Sequence, residues 1–178
     1  MDAYLHLLRN RSNAQGTKIQ FAQTMLYKGM NLNQHACGVH KNGKLNPFDD
    51  GCEMFFIPMH IIDDHWVLIV LRIPEKKIVY YDSLAFDGTQ YLQRVKEWLG
   101  ECAMALNVPD FSIDDWASED LRATVPQQPN NTDCGVYTLM FADYLSDKLD
   151  LTFSQDAINF FRIKIAADII RGRICNSE

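Results

Sequence analysis

The sequence predicts a central antiparallel β-sheet flanked by helices. Three short apolar runs between residues 55 and 81 have the length of strands and are rich in aromatic and β-branched residues. Two later segments repeat apolar residues as amphipathic helices do, and residues 135–145 are apolar nearly all round, as a helix buried in the centre would be. Of the 178 residues 47% are hydrophobic, enough for one core, and we predict one domain over residues 1–178.

The N-terminal part predicts two short helices and a long loop. Residues 3–8 and 19–26 are predicted to form the helices, joined by a polar turn. Residues 31–51 are rich in Asn, Gly, Lys and Asp and poor in aliphatic residues, which indicates an exposed loop. Long loops in compact domains are often functional, so we expect a recognition surface there.

The three strands are predicted at residues 55–62, 66–73 and 78–81. The segment Pro74-Glu75-Lys76-Lys77 has the residues of a turn, so the second and third strands should form a hairpin. These strands would make the central antiparallel sheet.

The C-terminal half predicts further elements around this sheet. Thr89 can cap an amphipathic helix that Pro109 ends, and residues 121–125 are predicted as another strand. Ser154 can cap a final amphipathic helix that reaches about residue 170. We expect the basic residues of this helix only to be solvated and to complement its dipole: Arg162, Lys164, Arg171 and Arg173.

Charge and cysteine content exclude several classes of function. The formal net charge is -6, so nucleic acid is not an expected partner. No apolar run reaches the roughly 18 residues of a membrane span, and no signal peptide is visible. The five cysteines are odd in number and scattered, unlike a disulfide framework. We therefore expect an intracellular protein in a reducing setting, with no membrane contact.

Cys134 has the position of a nucleophile. It opens the buried helix, with Thr132 or Asp133 as the cap, so unpaired backbone N–H groups and the positive end of the helix dipole lie near its sulfur. Both effects lower the pKa of a thiol, and the thiolate is the reactive form. A small buried cysteine with no chemical role is the alternative, and it is the commoner role for a single cysteine.

Gln128 stands six residues before Cys134, in a segment that Pro126 and Pro129 make irregular. A side-chain amide there, together with the backbone N–H of Cys134, could stabilise the oxyanion of a tetrahedral intermediate. Gln127 is the rival donor. The alternative is an ordinary turn, since these residue types are common in loops.

His65 is the candidate base and Asp82 its partner. His65 precedes an apolar strand at a sheet edge, whereas the competing His60 lies inside an apolar run, where a core histidine is expected. Asp82 would orient the imidazole and stabilise its charged form. If Ile73 pairs with Ile78, however, Asp82 lies opposite Ile69, about 13 Å along the strand from His65. The hypothesis therefore requires a bulge, a strong twist or a shifted register.

A metal site is not predicted. His35, Cys37, His40 and Cys52 are possible ligand types, but they lack a standard structural-zinc spacing. We expect neither a metal nor another cofactor.

These motifs together resemble the ubiquitin-like-protein proteases, the family of the Ulp and sentrin-specific (SUMO-specific) enzymes. The resemblance is carried by residues 56–60 ahead of His65-Trp66, by residues 80–83 seventeen residues beyond that histidine, and by residues 126–130 before Asp133-Cys134-Gly135. Residues 153–155 and 160–162 are similar to the family's last helix. The likeness thus covers nearly the whole chain.

The resemblance implies an α+β, papain-like cysteine protease fold. It implies a triad of Cys134, His65 and Asp82, with Gln128 as the oxyanion donor. The reaction would be hydrolysis of the isopeptide or peptide bond after the C-terminal Gly-Gly of a ubiquitin-like modifier. SUMO would be the preferred modifier over NEDD8 or ubiquitin, and the enzyme would be a monomer of the nucleus or cytoplasm.

The resemblance also implies a substrate-binding set. Trp66 would roof a narrow tunnel that admits the two glycines, and Gln127 and Asn130 would contact the substrate. The family usually begins this domain with a Trp-containing stretch that forms the other wall. This chain begins with Met1-Asp2-Ala3-Tyr4, just beyond that stretch, so we expect either that a neighbouring segment was trimmed from the chain or that the tunnel is incomplete.

Two other functions fit the same residues. An acetyltransferase on a related fold has the same order of histidine, acid, glutamine and cysteine, and would form an acyl-Cys134 from acetyl-coenzyme A. A non-catalytic binder would hold a ubiquitin-like protein without cutting it. We rank both below the protease, because every residue type of the triad is present.

Overall fold

The computed structural model describes residues 1–24 and 46–175. Within these residues the chain forms four α-helices and five β-strands. The helices are α1 (Asp2–Ala14), α2 (Thr89–Ala105), α3 (Cys134–Ser146) and α4 (Ile158–Arg171). The strands are β1 (Ile19–Phe21), β2 (Met54–Ile61), β3 (His65–Arg72), β4 (Lys77–Tyr81) and β5 (Ala117–Asp120).

The five strands form one mixed sheet in the order β1-β2-β3-β4-β5. The three central strands are antiparallel, as predicted, while each outer strand runs parallel to its neighbour. With helices flanking this sheet, the predicted α+β fold is confirmed.

The three central strands are buried on both faces, which explains why they are apolar runs and not alternating patterns. On one face, Phe56, Leu68 and Val79 pack with α1, α3 and α4. On the other face, Phe55 and Ile69 pack with α2. Since each fully buried aliphatic or aromatic side chain contributes about 1.5–3 kcal/mol, the first cluster holds α3 firmly against β3, and the second holds α2 against the opposite face.

Two predicted elements were wrong, and Thr89 is the first residue of α2 and not its cap, which is Gly88. Residues 19–21 form a strand and not a helix, because buried Ile19 and Phe21 alternate with Gln20 and pair with β2. The strand predicted at residues 121–125 lies earlier, at β5, whose mostly exposed Ala-Ser-Glu-Asp sequence has no apolar signal. Residues 25–26 of the predicted helix, and the predicted recognition loop up to residue 45, lie outside the described residues.

None of the helices in the described ranges combines the length and the apolar composition that crossing a bilayer requires.

Candidate active site

The four predicted reactive residues come from four different segments that meet at one end of the sheet. His65 is the first residue of β3, and Asp82 follows the last residue of β4, so both lie at the same end of this antiparallel pair. Cys134 is the first residue of α3, and Gln128 lies in the loop before that helix. All four side chains are buried.

The strand register brings Asp82 to His65. Arg72 pairs with Lys77 and Leu68 with Tyr81, a shift of two residues from the pairing of Ile73 with Ile78. Because the shift is even, Asp82 keeps its face of the sheet but lies one position beyond Tyr81, about two residues from His65. The paired residues 68–72 form a regular ladder, so the shifted register closes the gap without a bulge there.

Asp82 is a fully buried carboxylate surrounded by donors. Its Oδ1 lies 2.5 Å from His65 Nε2 and accepts a hydrogen bond from the backbone N–H of Leu84 at 2.8 Å. Its Oδ2 accepts hydrogen bonds from the Phe86 N–H at 2.8 Å and the Tyr80 hydroxyl at 3.1 Å. Burial raises the pKa of Asp82, but the bonds from His65 and these N–H groups outweigh it and lower the pKa below its ordinary value.

Because Nε2 of His65 faces this carboxylate, Nδ1 is the nitrogen that can exchange a proton with Cys134. Nδ1 is buried, and it has no well-formed hydrogen bond to any group in the described part of the chain. The thiol is nevertheless close enough for each group to perturb the other's pKa. Such contacts are often long in a free enzyme and tighten when substrate binds.

The electrostatics favour an imidazolium–thiolate pair. Burial lowers the pKa of His65, but its hydrogen bond to Asp82 and its interaction with the nearby Cys134 sulfur outweigh burial and raise the pKa to about 9. Burial raises the pKa of Cys134, but the His65 ring and backbone hydrogen bonds from Trp66 and Gly135 lower it below its ordinary value. Gly135 lies in the first turn of α3, whose N–H groups have no partner within the helix. The helix start therefore stabilises the thiolate, as the sequence predicts.

The structure distinguishes the two glutamines. Nε2 of Gln127 donates to the backbone carbonyls of Asp82, Arg122 and Val125 at 2.9–3.0 Å, so this amide holds the loop in place. Gln128 is directed inward and is only 6% exposed. Its geometry favours Gln128 over Gln127 as the oxyanion donor.

The cap of α3 differs from the prediction in detail. Asp133 occupies the N-cap position, and its backbone carbonyl accepts hydrogen bonds from Val136 and Tyr137. Its side chain makes no capping bond and instead accepts from Asn130 Nδ2 at 2.7 Å and from the Arg162 guanidinium. These bonds fix the residue that precedes Cys134.

Asp133 therefore links α4 to Cys134. Gln155 Nε2 donates to its Oδ2 at 2.8 Å, and burial, which raises the pKa of Asp133, is outweighed by the bonds from Asn130, Arg162 and Gln155, which lower it to about 2. Lys164 likewise binds buried Asp168 at 2.7 Å. The expectation that Arg162 and Lys164 are merely solvated was wrong, because their partners are distant in sequence or buried.

Trp66 lies beside the start of α3. Its Cδ1 would be 3.8 Å from a β-carbon placed on Gly135, and its indole contacts the ring of His60 at 4.7 Å between centroids. His60 is not the core histidine that the sequence predicts, because its side chain is 32% exposed and its Nε2 lies 3.1 Å from Asp64 Oδ1. Trp66 is thus placed against the helix that begins at Cys134.

Several contacts of the site were missed by sequence reasoning. Phe86 packs its ring on His65 with 5.2 Å between centroids, and Ser83 donates to Gln128. Ser83 and Phe86 follow Asp82 in an irregular segment, where no periodicity marks an inward-facing side chain. Only the adjacency to a candidate acid could have indicated them.

Asn130 is engaged within its own loop. Its Oδ1 accepts from the N–H groups of Thr132 and Asp133, while its Nδ2 donates to Asp133. The predicted substrate contacts of Asn130 and Gln127 stay predictions.

The described residues contain no group of three side chains that could hold a metal ion. His35, Cys37 and His40 lie outside these residues, and Cys52 is a buried free thiol.

Comparisons with known proteins agree with this geometry. Residues 1–176 match the model of the Ulp1 protease family, C-terminal catalytic domain. The ubiquitin-like-specific protease ESD4 of Arabidopsis thaliana is 34% identical over 122 residues, which are 68% of this chain and 24% of that protein. The chain spans between 24% and 52% of the length of the first curated relatives that it matches.

Two solved structures share the fold. The Chaetomium thermophilum Ulp1-like SUMO protease catalytic domain superposes with a TM-score of 0.79 at 20% identity, covering 97% of this chain and 71% of that chain. The Ulp1 protease domain in complex with Smt3, the yeast ortholog of SUMO, gives 0.70 at 23% identity, covering 95% and 75%. Together with the family match over nearly all of its length, this means that the chain belongs to the Ulp1 protease family and corresponds to the family's C-terminal catalytic domain.

Proposed function

We propose that this chain is a thiol protease that hydrolyses the bond after the C-terminal Gly-Gly of a ubiquitin-like modifier, with SUMO as the preferred modifier. The observation that supports it most is the buried chain of contacts from Asp82 through His65 to Cys134, with the pKa of His65 raised and that of Cys134 lowered. The Ulp1 complex with Smt3 supports the class of substrate.

In the proposed acylation, the Cys134 thiolate attacks the carbonyl carbon of the last glycine. The negative charge moves to the carbonyl oxygen, where Gln128 Nε2–H and the Cys134 backbone N–H stabilise it. As the oxyanion collapses, the C–N bond breaks and His65 Nδ1–H gives its proton to the leaving amine. The products of this step are a free amine and a thioester on Cys134.

In the proposed deacylation, neutral His65 takes a proton from water, and the resulting hydroxide adds to the thioester. The same donors hold the second oxyanion, which collapses to release the thiolate and the modifier's carboxylic acid, and this acid loses its proton to the solvent. His65 is again an imidazolium, stabilised by Asp82. Each step uses groups that the described geometry brings together.

The position of Trp66 supports a substrate whose C-terminal residues are glycines, which have no side chains. Its indole lies within van der Waals reach of a β-carbon at Gly135, so little space separates it from the first turn of α3. Glycine residues alone could pass beneath an indole to a recessed sulfur. The tunnel itself stays a prediction. A cavity of about 490 Å³ in the described part of the chain lies away from Trp66 and Cys134 and is lined by Arg72, Glu75 and Lys148 among others.

The test uses modifiers that carry a C-terminal vinyl sulfone, which trap a nucleophilic cysteine. We expect the SUMO probe to add covalently to Cys134, with slower addition of NEDD8 and ubiquitin probes. Cys134→Ala should abolish the adduct and the cleavage of a SUMO precursor. Cys175→Ala is the matched control, because this free thiol lies at the far end of α4 and should leave both reactions unchanged.

Other outcomes would select the competing functions. Binding of SUMO with neither adduct nor cleavage would contradict the protease and identify a binder. Transfer of a labelled acetyl group from acetyl-coenzyme A to Cys134, without precursor cleavage, would identify an acetyltransferase. Faster addition of the NEDD8 or ubiquitin probe would retain the protease and overturn the choice of SUMO.

A further inference from the structure

We propose that Ser83 is a positioning residue that orients and polarises the amide of Gln128; this inference rests on the proposed function, in which Gln128 binds the oxyanion. Ser83 Oγ lies 2.6 Å from Gln128 Oε1, and the two residues are 1% and 6% exposed. No water can easily replace a partner at such depth, so this contact determines what the amide presents to the substrate.

An oxyanion donor of this type has an orientation problem. The oxygen and nitrogen ends of an amide are nearly equal in size, and rotation by 180° exchanges them. The wrong orientation would direct Oε1 of Gln128 at the developing negative charge and would repel it. A site that uses a glutamine therefore needs contacts that tell the two ends apart.

The contacts around Gln128 meet this need. Its Nε2 faces the backbone carbonyl of Asn130, which can only accept a hydrogen bond, so the NH₂ group must lie on that side. Ser83 can donate or accept, but with the nitrogen fixed by Asn130 its hydroxyl faces Oε1 and donates. The second Nε2–H is then left for the oxyanion.

The hydroxyl of Ser83 has a second effect. A hydrogen bond to the oxygen of an amide draws electron density from its nitrogen, so the N–H becomes a better donor, and such polarisation is stronger in a low dielectric. Ser83 thus acts on the reaction through Gln128 and does not touch the substrate.

The backbone holds the same pair together. The Gln128 N–H donates to the Ser83 carbonyl at 2.9 Å, and Gln127 Nε2 donates to the carbonyl of Asp82 at 3.0 Å. Asp82 directs its side chain to His65, while the next residue directs its side chain to Gln128. Two consecutive residues at the end of β4 therefore position the imidazole and the oxyanion donor separately.

The test is a double-mutant cycle on cleavage of a SUMO precursor, with Ser83→Ala, Gln128→Ala and the double variant. We expect Ser83→Ala to lower kcat about tenfold and to leave KM within about twofold, because the contact matters only in the transition state. In the Gln128→Ala background, Ser83→Ala should cost less than about twofold, because a residue that acts through Gln128 has nothing left to act on.

A second measurement separates this role from general damage to the site. Alkylation of Cys134 by iodoacetamide needs the thiolate but no oxyanion donor, so Ser83→Ala should alkylate at the wild-type rate. Ser83→Cys, similar in size but a weaker donor, should show an intermediate loss of kcat. This variant keeps the test usable if removal of the hydroxyl disturbs folding.

Each contrary result has its own meaning. An equal loss of kcat from Ser83→Ala in the wild-type and the Gln128→Ala backgrounds would overturn the inference. Slower alkylation of Cys134 in Ser83→Ala would overturn it as well, because the effect would then act on Asp82 and His65. Wild-type kcat in Ser83→Ala beside a large loss in Gln128→Ala would refute Ser83 alone. Wild-type kcat in Gln128→Ala would refute the oxyanion role within the proposed function, and the role of Ser83 with it.

Discussion

Asp82 Oδ1 lies 2.5 Å from Nε2 of His65, and this contact fixes which nitrogen of the ring faces the thiol. The carboxylate cannot rotate away, because Leu84, Phe86 and Tyr80 also donate to it. The imidazole is therefore held with Nδ1, the nitrogen that would exchange a proton with Cys134 in the proposed reaction, turned away from the carboxylate.

Asp82→Asn should lower kcat/KM by roughly 10³- to 10⁴-fold, the scale seen when a triad aspartate is replaced by asparagine. The asparagine NH₂ would donate to Nε2, which places the proton on Nδ1 and removes the base that faces the thiol. The imidazolium would also lose its negative partner. Cleavage of a SUMO precursor measures the effect.

The matched control for this variant is Asp87→Asn. Asp87 is an exposed acid five residues further on, paired with Arg122, and its change should keep kcat/KM within about twofold. Equal losses in both variants would contradict a specific role for Asp82.

The pH dependence of the reaction should follow the His65–Cys134 pair. The lowered pKa of Cys134 means that thiolate forms below the pH at which an ordinary thiol ionises. The raised pKa of His65 means that the imidazolium persists until about pH 9. We expect kcat/KM to rise with pH through the Cys134 ionisation and to fall above about pH 9.

The rise of kcat/KM with pH is attributed to the ionisation of Cys134. Peptide-resolved mass spectrometry can measure this ionisation directly, as the pH dependence of Cys134 alkylation. In His65→Ala, the midpoint of alkylation should move up towards that of an ordinary thiol, because the largest favourable contribution to the thiolate comes from this ring. An unchanged midpoint would show that the helix start alone accounts for the lowered pKa. Cys175, the partly exposed free thiol, serves as an internal reference in the same digest.

The sequence could predict residues that the structure brings together at one end of the sheet, because their signals are local. Cys134 stands at the boundary between a proline-rich loop and an apolar helix, and His65 at the start of an apolar strand. The central strands were equally visible, since a sheet buried on both faces gives continuous apolar runs. In contrast, β5 is an exposed edge and β1 has three residues, so neither carries a strong pattern.

The remaining features depend on contacts between distant segments. The register of the hairpin depends on a turn at residues 73–76, with Lys76 at φ +51°. The register predicted from the sequence differed from the observed one by two residues. The choice between Gln127 and Gln128 depends on where single amide groups point. Arg162 gives no local sign of its partner, because Asp133 lies 29 residues away.

Arg162→Met should reduce the free energy of unfolding by about 1–2 kcal/mol at pH 7, because it leaves the buried Asp133 carboxylate without its cation. The loss is smaller than for a fully buried ion pair, because the Arg162 side chain is 44% exposed and water screens the pair. Urea unfolding measures it. Arg171→Met, at an exposed position on the same helix, should change stability by less than about 0.5 kcal/mol.

The acid sensitivity of these variants should differ as well. The folded pKa of Asp133, about 2, lies below its unfolded value, so its contribution to stability is complete above pH 4 and is lost as the pH falls towards 2. Arg162→Met should show a smaller loss of stability between pH 4 and pH 2 than wild type. A wild-type pH profile in this variant would mean that Asn130 and Gln155 alone lower the pKa of Asp133.

Gly88→Ala should destabilise the fold and slow catalysis together. The backbone of Gly88 suits any residue, with φ at -86°, but a β-carbon there would overlap the ring of Tyr80. Tyr80 is fully buried and stacked on Tyr91, so it cannot easily move, and overpacking of this kind costs about 1–3 kcal/mol. Any shift of the ring also disturbs its hydroxyl bond to Asp82.

Gly100→Ala is the matched control, because the same change there should have the opposite effect. Gly100 lies inside α2. The nearest atom to a β-carbon added there would be Ile113 Cγ1 at 4.0 Å, an ordinary van der Waals distance without a clash. Alanine in a helix interior is favoured over glycine by about 0.5–1 kcal/mol, so the melting temperature should rise while kcat/KM is retained. If Gly88→Ala instead melted at or above the wild-type temperature with full activity, the packing of Tyr80 against this turn would not constrain Asp82.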